Sequence, residues 1–180
     1  MAPLVLITGA AGLIGYYLVK TAPRWAPQWD VRGIARREVD LTDAAPLTFV
    51  VRSLNPQAII HCAALSRTKD CEQDPERARR INVEATAHLA RLSQDIPFIF
   101  LSSGEVFDGR AGWYGETDEP NPVNVYGQTK LEAEQTVLQN SGHTVSDCVD
   151  CWNVGERRQE FCGRHVPICH GRQKRDALCR

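Results

Sequence analysis

Three groups of residues in this 180-residue chain have the types and spacing to do chemistry. The first is Thr8-Gly9-Ala10-Ala11-Gly12-Leu13-Ile14-Gly15, directly after the apolar run Leu4–Thr8. Glycines spaced Gly-x-x-Gly-x-x-Gly between a strand and a helix let the backbone turn sharply, approach a pyrophosphate, and aim the helix N–H groups and dipole at it. Gly9, Ala11, Gly12, Leu13, Ile14 and Gly15 are therefore the candidate dinucleotide-binding residues, the alternative being tight strand–helix packing with no ligand. The second group is Tyr126-Gly127-Gln128-Thr129-Lys130 together with Ser103. On a helix, i and i+4 share a face, where the Lys130 ammonium would favour the phenolate of Tyr126 and make the phenol a usable acid. The alternative is a solvated surface pair. The third is Arg36-Arg37, at the end of the second expected strand. A carboxylate there would bind the ribose 2′-OH of NAD, whereas guanidinium groups suit the 2′-phosphate of NADP. NADP is favoured and NAD is the alternative, beside the reading of a solvated basic turn.

These groups need elements to position them, and the chain supplies alternating short apolar runs and helical patterns, the mark of βα units on a parallel sheet. Strands are expected near Leu4–Thr8, Val31–Arg36, Ala58–Cys62 and Phe98–Ser102. Asp74 as N-cap, Pro75 as first helical residue, and Ala78, Ile81, Ala85, Leu89 and Leu92 along one face predict a helix. A second helix is expected from about Val125 to Gln139. Residues 104–124, rich in Gly, Pro, Asn and Asp, read as a long loop of the kind that is commonly functional.

Hydrophobic residues make up 43% and charged residues 24%, which excludes wholesale disorder. A net charge of -1 offers no global field for nucleic acid or an anionic membrane. The first charged residue is Lys20, yet the opening segment lacks a basic n-region, so neither a signal peptide nor a membrane span is expected and the cytoplasm follows. Residues 1–145 carry 14 basic and 17 acidic side chains and two of the seven cysteines. Residues 146–180 carry 7 and 5, with Cys148, Cys151, Cys162, Cys169 and Cys179. The chain thus reads as a partial NAD(P)-binding Rossmann domain over 1–145 and an irregular Cys- and Arg-rich tail over 146–180. Cys148-x2-Cys151-x10-Cys162-x2-His165, with Cys169 and His170 nearby, approximates zinc-ligand spacing, but no metal is expected.

Phe100-Leu-Ser-Ser-Gly-Glu-Val-Phe-Asp-Gly109 and Glu116 through Glu134, with the glycine turn and Tyr-x-x-x-Lys, resemble the extended short-chain dehydrogenases/reductases. Within them the resemblance is to the dTDP-4-dehydrorhamnose reductase family, whose relatives include the beta regulatory subunit of methionine adenosyltransferase. Ile60-His-Cys-Ala-Ala64 and Ile81-Asn82-Val83 match the family's stretches beside the cofactor, and Asp40-Leu41 matches its segment over the adenine. The resemblance implies that Cys62, Ala63, Ala64, Asn82, Asp40 and Leu41 join the cofactor site. It also implies that Tyr126 protonates a sugar keto oxygen, Lys130 holds the nicotinamide ribose, and Ser103 hydrogen-bonds the same oxygen. The implied activity is NADPH-dependent reduction of a nucleotide-linked 4-keto sugar. The alternatives are a non-catalytic NADP-binding regulatory subunit, a sugar-nucleotide epimerase or dehydratase, and an inactive fragment; a homodimer or a regulatory partner is compatible with all. Where those reductases have Asp-Tyr after the Ser/Thr pair, this chain has Gly104-Glu105.

The expected fold is α/β, a Rossmann-type doubly wound parallel sheet of order 3-2-1-4-5-6, incomplete after the fourth strand. The resemblance stops near Val145, with no apolar run after it, so the tail is expected to be out of frame and the fourth strand to be an exposed, aggregation-prone edge.

Overall fold

Short apolar runs separated by helices build a five-stranded all-parallel sheet in the computed structural model, which describes residues 2–111, 114–115, 117–139 and 142–146. The strands are β1 (Leu4–Thr8), β2 (Asp30–Ile34), β3 (Ala58–His61), β4 (Phe98–Leu101) and β5 (His143–Ser146), in the order β2-β1-β3-β4-β5. The helices are α1 (Leu13–Trp25), α2 (Ala44–Leu54), α3 (Thr68–Gln73), α4 (Pro75–Arg79), α5 (Ala85–Leu92) and α6 (Val125–Val137). Right-handed crossovers put α1, which links β1 to β2, on one face, and the helices of the later crossovers, which run the other way, on the opposite face.

Two expectations need correction. The sheet is not incomplete after the fourth strand: β5 pairs in parallel with β4, Phe98 opposite His143 and Leu101 opposite Ser146, so β4 is paired on both sides. The segment is short and Val145 is its only large apolar residue, so hydrophobic patterning misses it, whereas pairing to β4 and burial of Val145 secure it. The expected order also differs, because β3 lies beside β1 rather than outside β2. Residues after β2 spend their hydrogen bonds locally: Glu38 accepts from Ala35 N (2.8 Å), Asp40 from Thr42 N (3.0 Å) and Asp43 from Ala45 N (3.2 Å). Turns therefore replace a strand there, and α2 carries the chain to the far side of β1. The same turn ends β2 at Ile34, two residues before its expected end.

The Asp74 cap behaves as predicted, accepting from Arg77 N at 2.9 Å with Pro75 next to it. A π-helical turn, Arg80–Glu84, then joins α4 to α5. Its extra residue rotates the helix, so that Asn82 and Val83 are buried while Ile81, which simple periodicity places on the core face, is only half-buried.

The main core lies between the sheet and α2, α5 and α6. Leu6, Ile59, Phe98, Phe100 and Val145 meet Leu47, Val51, Leu89, Ala133 and Val137. Each large side chain buried here contributes roughly 1.5–3 kcal/mol. Residues 147–180, including the cysteines and histidines of the zinc-like spacing and nearly all of the expected irregular tail, lie outside the described residues.

Candidate functional site

The glycine turn, Arg36-Arg37 and the Ser103, Tyr126 and Lys130 group all come to the carboxyl edge of the sheet, where open α/β folds bind ligands. The turn after β1 depends on its glycines for different reasons. Gly9 has φ +72°, and a Cβ there would stand 2.7 Å from Ala63 N; a Cβ on Gly15 would stand 2.4 Å from the carbonyl oxygen of Gly9. Both are demanded by packing. Gly12 is not: a Cβ there would meet only the Gly9 oxygen, at 3.3 Å, with open space beyond. Gly12 is also the N-cap of α1 and has no side-chain cap, and Ala11, Leu13 and Ile14 beside it are exposed. A helix start with uncapped N–H groups facing open space suits a pyrophosphate.

Neighbouring loops surround that turn. Ala10 N donates to Ile34 O (3.1 Å), drawing the end of β2 alongside. Arg36 and Arg37 follow it and are exposed; Arg36 forms an ion pair with Asp40 at 3.6 Å. Hydrogen bonds from the Thr42 backbone and hydroxyl hold the Asp40 carboxyl below its usual range, helped by Arg36. Leu41 packs against the core. From β3, Cys62 N donates to Thr8 O (3.3 Å), and burial pushes the Cys62 thiol up to about 12, so it is an inert wall rather than a nucleophile. Asn82, brought inward by the π-helical turn, fixes the rest of this loop. Its Oδ1 accepts from Leu65 N (2.8 Å) and its Nδ2 donates to Leu65 O (3.2 Å) and Thr129 Oγ1 (2.9 Å). Thus Asn82 ties the loop containing Ala63 and Ala64 to α6.

After β4, alternation sends the two serines different ways. Ser102 donates to the buried Glu134 of α6, while Ser103 starts the turn Gly104–Val106 and its Oγ accepts from Glu105 N at 3.3 Å. On α6, Tyr126 and Lys130 are both buried, which excludes a solvated surface pair. Lys130 Nζ donates to Leu101 O at 2.6 Å and lies 3.9 Å from the centre of the Phe100 ring, so carbonyl and ring face compensate the burial of its charge. The expected depression of the tyrosine pKa by Lys130 is not what the fold produces. Burial pushes the Tyr126 phenol up, the Ser103 hydrogen bond pulls it down, and Glu105 and Cys71 push it up again. The phenol is therefore held protonated, the form an acid needs.

Two further residues beside the site, His61 and Asn124, lie within the matched stretches but have no role assigned from the sequence. Beneath the site, His61 is fully buried between Thr8 Oγ1 (2.6 Å from Nδ1) and Thr86 Oγ1 (2.9 Å from Nε2). Because the Thr86 hydroxyl donates to Asn82 O (2.7 Å), it accepts from His61 Nε2–H, leaving Nδ1 to accept from Thr8. Burial, with Lys130 adding to it, lowers the His61 pKa to about 3. Asn124 caps α6 through Gly127 N (2.7 Å), and Asn-before-helix was a readable cue. Two surface hollows, one along α2 and one at the amino ends of β1 and β2, contain none of these residues.

A parallel sheet with a glycine turn after β1 and a Ser–Tyr–Lys constellation beyond β4 defines the NAD(P)-binding Rossmann class of short-chain dehydrogenase/reductase proteins. The profile of the RmlD substrate binding domain matches residues 3–164, and the chain belongs to that family. It is 38% identical over 146 residues to methionine adenosyltransferase 2 subunit beta of Bos taurus, covering 76% of this chain and 43% of that protein. It is 34% identical over 145 residues to a probable low-salt glycan biosynthesis reductase of Haloferax volcanii, covering 73% of this chain and 47% of that protein. The crystal structure of dTDP-4-dehydrorhamnose reductase from Bacillus anthracis in complex with NADP superposes with a TM-score of 0.77 at 28% identity, over 82% of this chain and 53% of that one. The chain spans about half the length of the relatives it matches. No helix among the described residues is long and apolar enough to cross a membrane.

Proposed function

We propose that this chain forms the cofactor-binding part of an NADPH-dependent reductase acting on the 4-keto group of a nucleotide-linked sugar. The observation that carries this reading is the buried Tyr126 and Lys130 one turn apart on α6, with Ser103 at the end of β4, at the same sheet edge as the glycine turn. When bound, the nicotinamide supplies hydride, and the rest falls to the protein. The N–H groups around Gly12, Leu13 and Ile14 would hold the pyrophosphate, with Gly9, Ala11 and Gly15 shaping the turn. Arg36 and Arg37 would hold the 2′-phosphate, and Asp40, Leu41, Cys62, Ala63, Ala64 and Asn82 would line the cofactor. Lys130, already close to Tyr126 on α6, would bind the nicotinamide ribose. Tyr126 would deliver its proton to the keto oxygen, which Ser103 would orient. The relative from Bacillus anthracis, solved with NADP, supports the choice of cofactor.

A second reading is a non-catalytic cofactor-binding regulatory subunit. It is favoured by the 38% identity to a methionine adenosyltransferase subunit and by Glu105 standing where the reductases carry an aromatic ring. Calorimetry with NADPH, followed by turnover with dTDP-4-dehydrorhamnose, separates the two. Binding with turnover supports the reductase, and binding without turnover supports the subunit. No NADPH binding overturns both.

A further inference from the structure

A chain of buried hydrogen bonds runs beneath the candidate cofactor site. Thr8 Oγ1, next to the glycine turn, lies 2.6 Å from His61 Nδ1, and His61 Nε2 lies 2.9 Å from Thr86 Oγ1 of α5. The Thr86 hydroxyl donates to Asn82 O at 2.7 Å. From the same asparagine, Nδ2 donates to Thr129 Oγ1 of α6 at 2.9 Å, and the Thr129 hydroxyl donates to Tyr126 O at 2.8 Å. All of these residues are buried, so water does not compete for the bonds. A hydroxyl has one proton to give. Thr86 and Thr129 each spend theirs on a main-chain oxygen, so each accepts from its other neighbour, and every bond points the same way, from Thr8 to Tyr126. Bonds aligned head to tail in a dry interior polarise and strengthen one another.

We propose that His61 is a positioning residue: through this one-way chain it ties the glycine turn to the first turn of α6 and so sets the spacing between the cofactor and Tyr126. Its meaning for catalysis rests on the reading of Tyr126 as the proton donor. A neutral imidazole accepts at one nitrogen and donates at the other, which lets it join two hydroxyls carried by different elements. The Phe100 ring, stacked 5.7 Å away, keeps the imidazole in the plane that serves both. The two ends of the chain are the two halves of the candidate site. Thr8 precedes Gly9, the glycine packed against Ala63, and Tyr126 opens α6. Between them Asn82 branches to Leu65, so the loop after β3 is fixed by the same chain. Reacting atoms must lie about 3–3.5 Å apart, and a displacement of about 1 Å can cost roughly 100-fold in rate. Directional hydrogen bonds hold such a spacing where apolar contacts alone would let the elements slide.

The test is the 15N spectrum of the histidine rings in the full chain at pH 7, with the His61 signals assigned by their loss in His61→Gln. The unaltered chain is expected to hold His61 as the Nε2–H tautomer; the Nδ1–H tautomer would break the one-way order and overturn the proposal. Thr129→Val removes a hydroxyl on α6 that is separated from His61 by Thr86 and Asn82. It should shift the His61 ring signals and speed solvent exchange of Nε2–H at least about tenfold, and Thr129→Ser, which keeps the hydroxyl, should restore both. A Thr129→Val protein whose His61 signals and exchange match the unaltered chain overturns the proposal, since a purely local packing role for His61 would not register a change on α6. If Thr129→Val does not fold, the tautomer in the unaltered chain decides. With dTDP-4-dehydrorhamnose as substrate, Thr86→Val should lower kcat about tenfold with NADPH affinity changed less than about twofold, and Thr86→Ser should recover kcat. Unchanged kcat in Thr86→Val overturns the positioning role. The ring measurements need neither substrate nor cofactor, so a lack of turnover by the unaltered chain counts against the reductase reading alone.

Discussion

Gly9 and Ala63 lie so close that a Cβ on the glycine would stand 2.7 Å from the main-chain nitrogen of Ala63, which locks the glycine turn to the loop after β3. A Cβ on Gly12, three residues on, would meet only the Gly9 oxygen, at 3.3 Å. The two glycines should therefore fail in opposite ways when substituted. Gly9→Ala, at a positive φ and against backbone, is expected to cost roughly 2–4 kcal/mol of stability. Gly12→Val should cost under about 1 kcal/mol by denaturant unfolding, yet lower NADPH affinity more than 100-fold by filling the space before the helix N-terminus. Retained NADPH affinity in Gly12→Val would remove the turn from the cofactor site.

His61 predicts a pH dependence of stability. Its folded pKa of about 3 lies below the ordinary value of 6.5, so the unfolded chain binds a proton that the native protein refuses. Stability is then fully present above pH 6.5 and falls as the pH drops toward 3, by up to about 1.4 kcal/mol per pH unit. Urea unfolding of the unaltered chain at pH 7.0, 6.0 and 5.0 should show this slope. His61→Gln should be less stable at pH 7 but lack that part of the slope, and equal slopes in the two proteins would contradict the assignment.

Cofactor choice is testable at Arg36 and Arg37, both exposed at the end of β2. Replacing both with Ala should weaken NADPH binding by at least about tenfold while changing NADH binding little, because charge-assisted bonds to a 2′-phosphate exist only for NADPH. Calorimetry with both cofactors gives the answer; equal losses would mark the arginines as solvated turn residues.

If the chain, alone or within a longer protein, reduces a keto sugar, Tyr126→Phe is expected to lower kcat roughly 10²–10⁴-fold with NADPH affinity kept. Ser103→Ala should lower kcat less, and Ser102→Ala, whose hydroxyl serves Glu134 rather than the site, should act mainly on stability. Similar losses of kcat from the two serine variants would show that strand alternation does not decide which one acts.

The sequence by itself determined the β1–turn–α1 unit, because glycine spacing, an apolar run and an uncapped helix start are local signals that need no distant partner. It also determined the Asp74–Pro75 helix start and the i, i+4 placement of Tyr126 and Lys130, since caps and helical period are set within a few residues. Only the tertiary structure decided what those residues meet. Strand β5 exists because β4 offers it a ladder, and a four-residue segment with one large apolar side chain cannot announce that pairing in advance. The π-helical turn that carries Asn82 inward, the burial that raises the Tyr126 phenol, and the nearness of Glu105 to the start of α6 are likewise contacts between segments far apart in the chain. Charge and hydrogen bonding act through space, so the helix alone predicts Lys130 as the tuner of Tyr126, while the folded protein buries the phenol and gives Lys130 the Leu101 carbonyl.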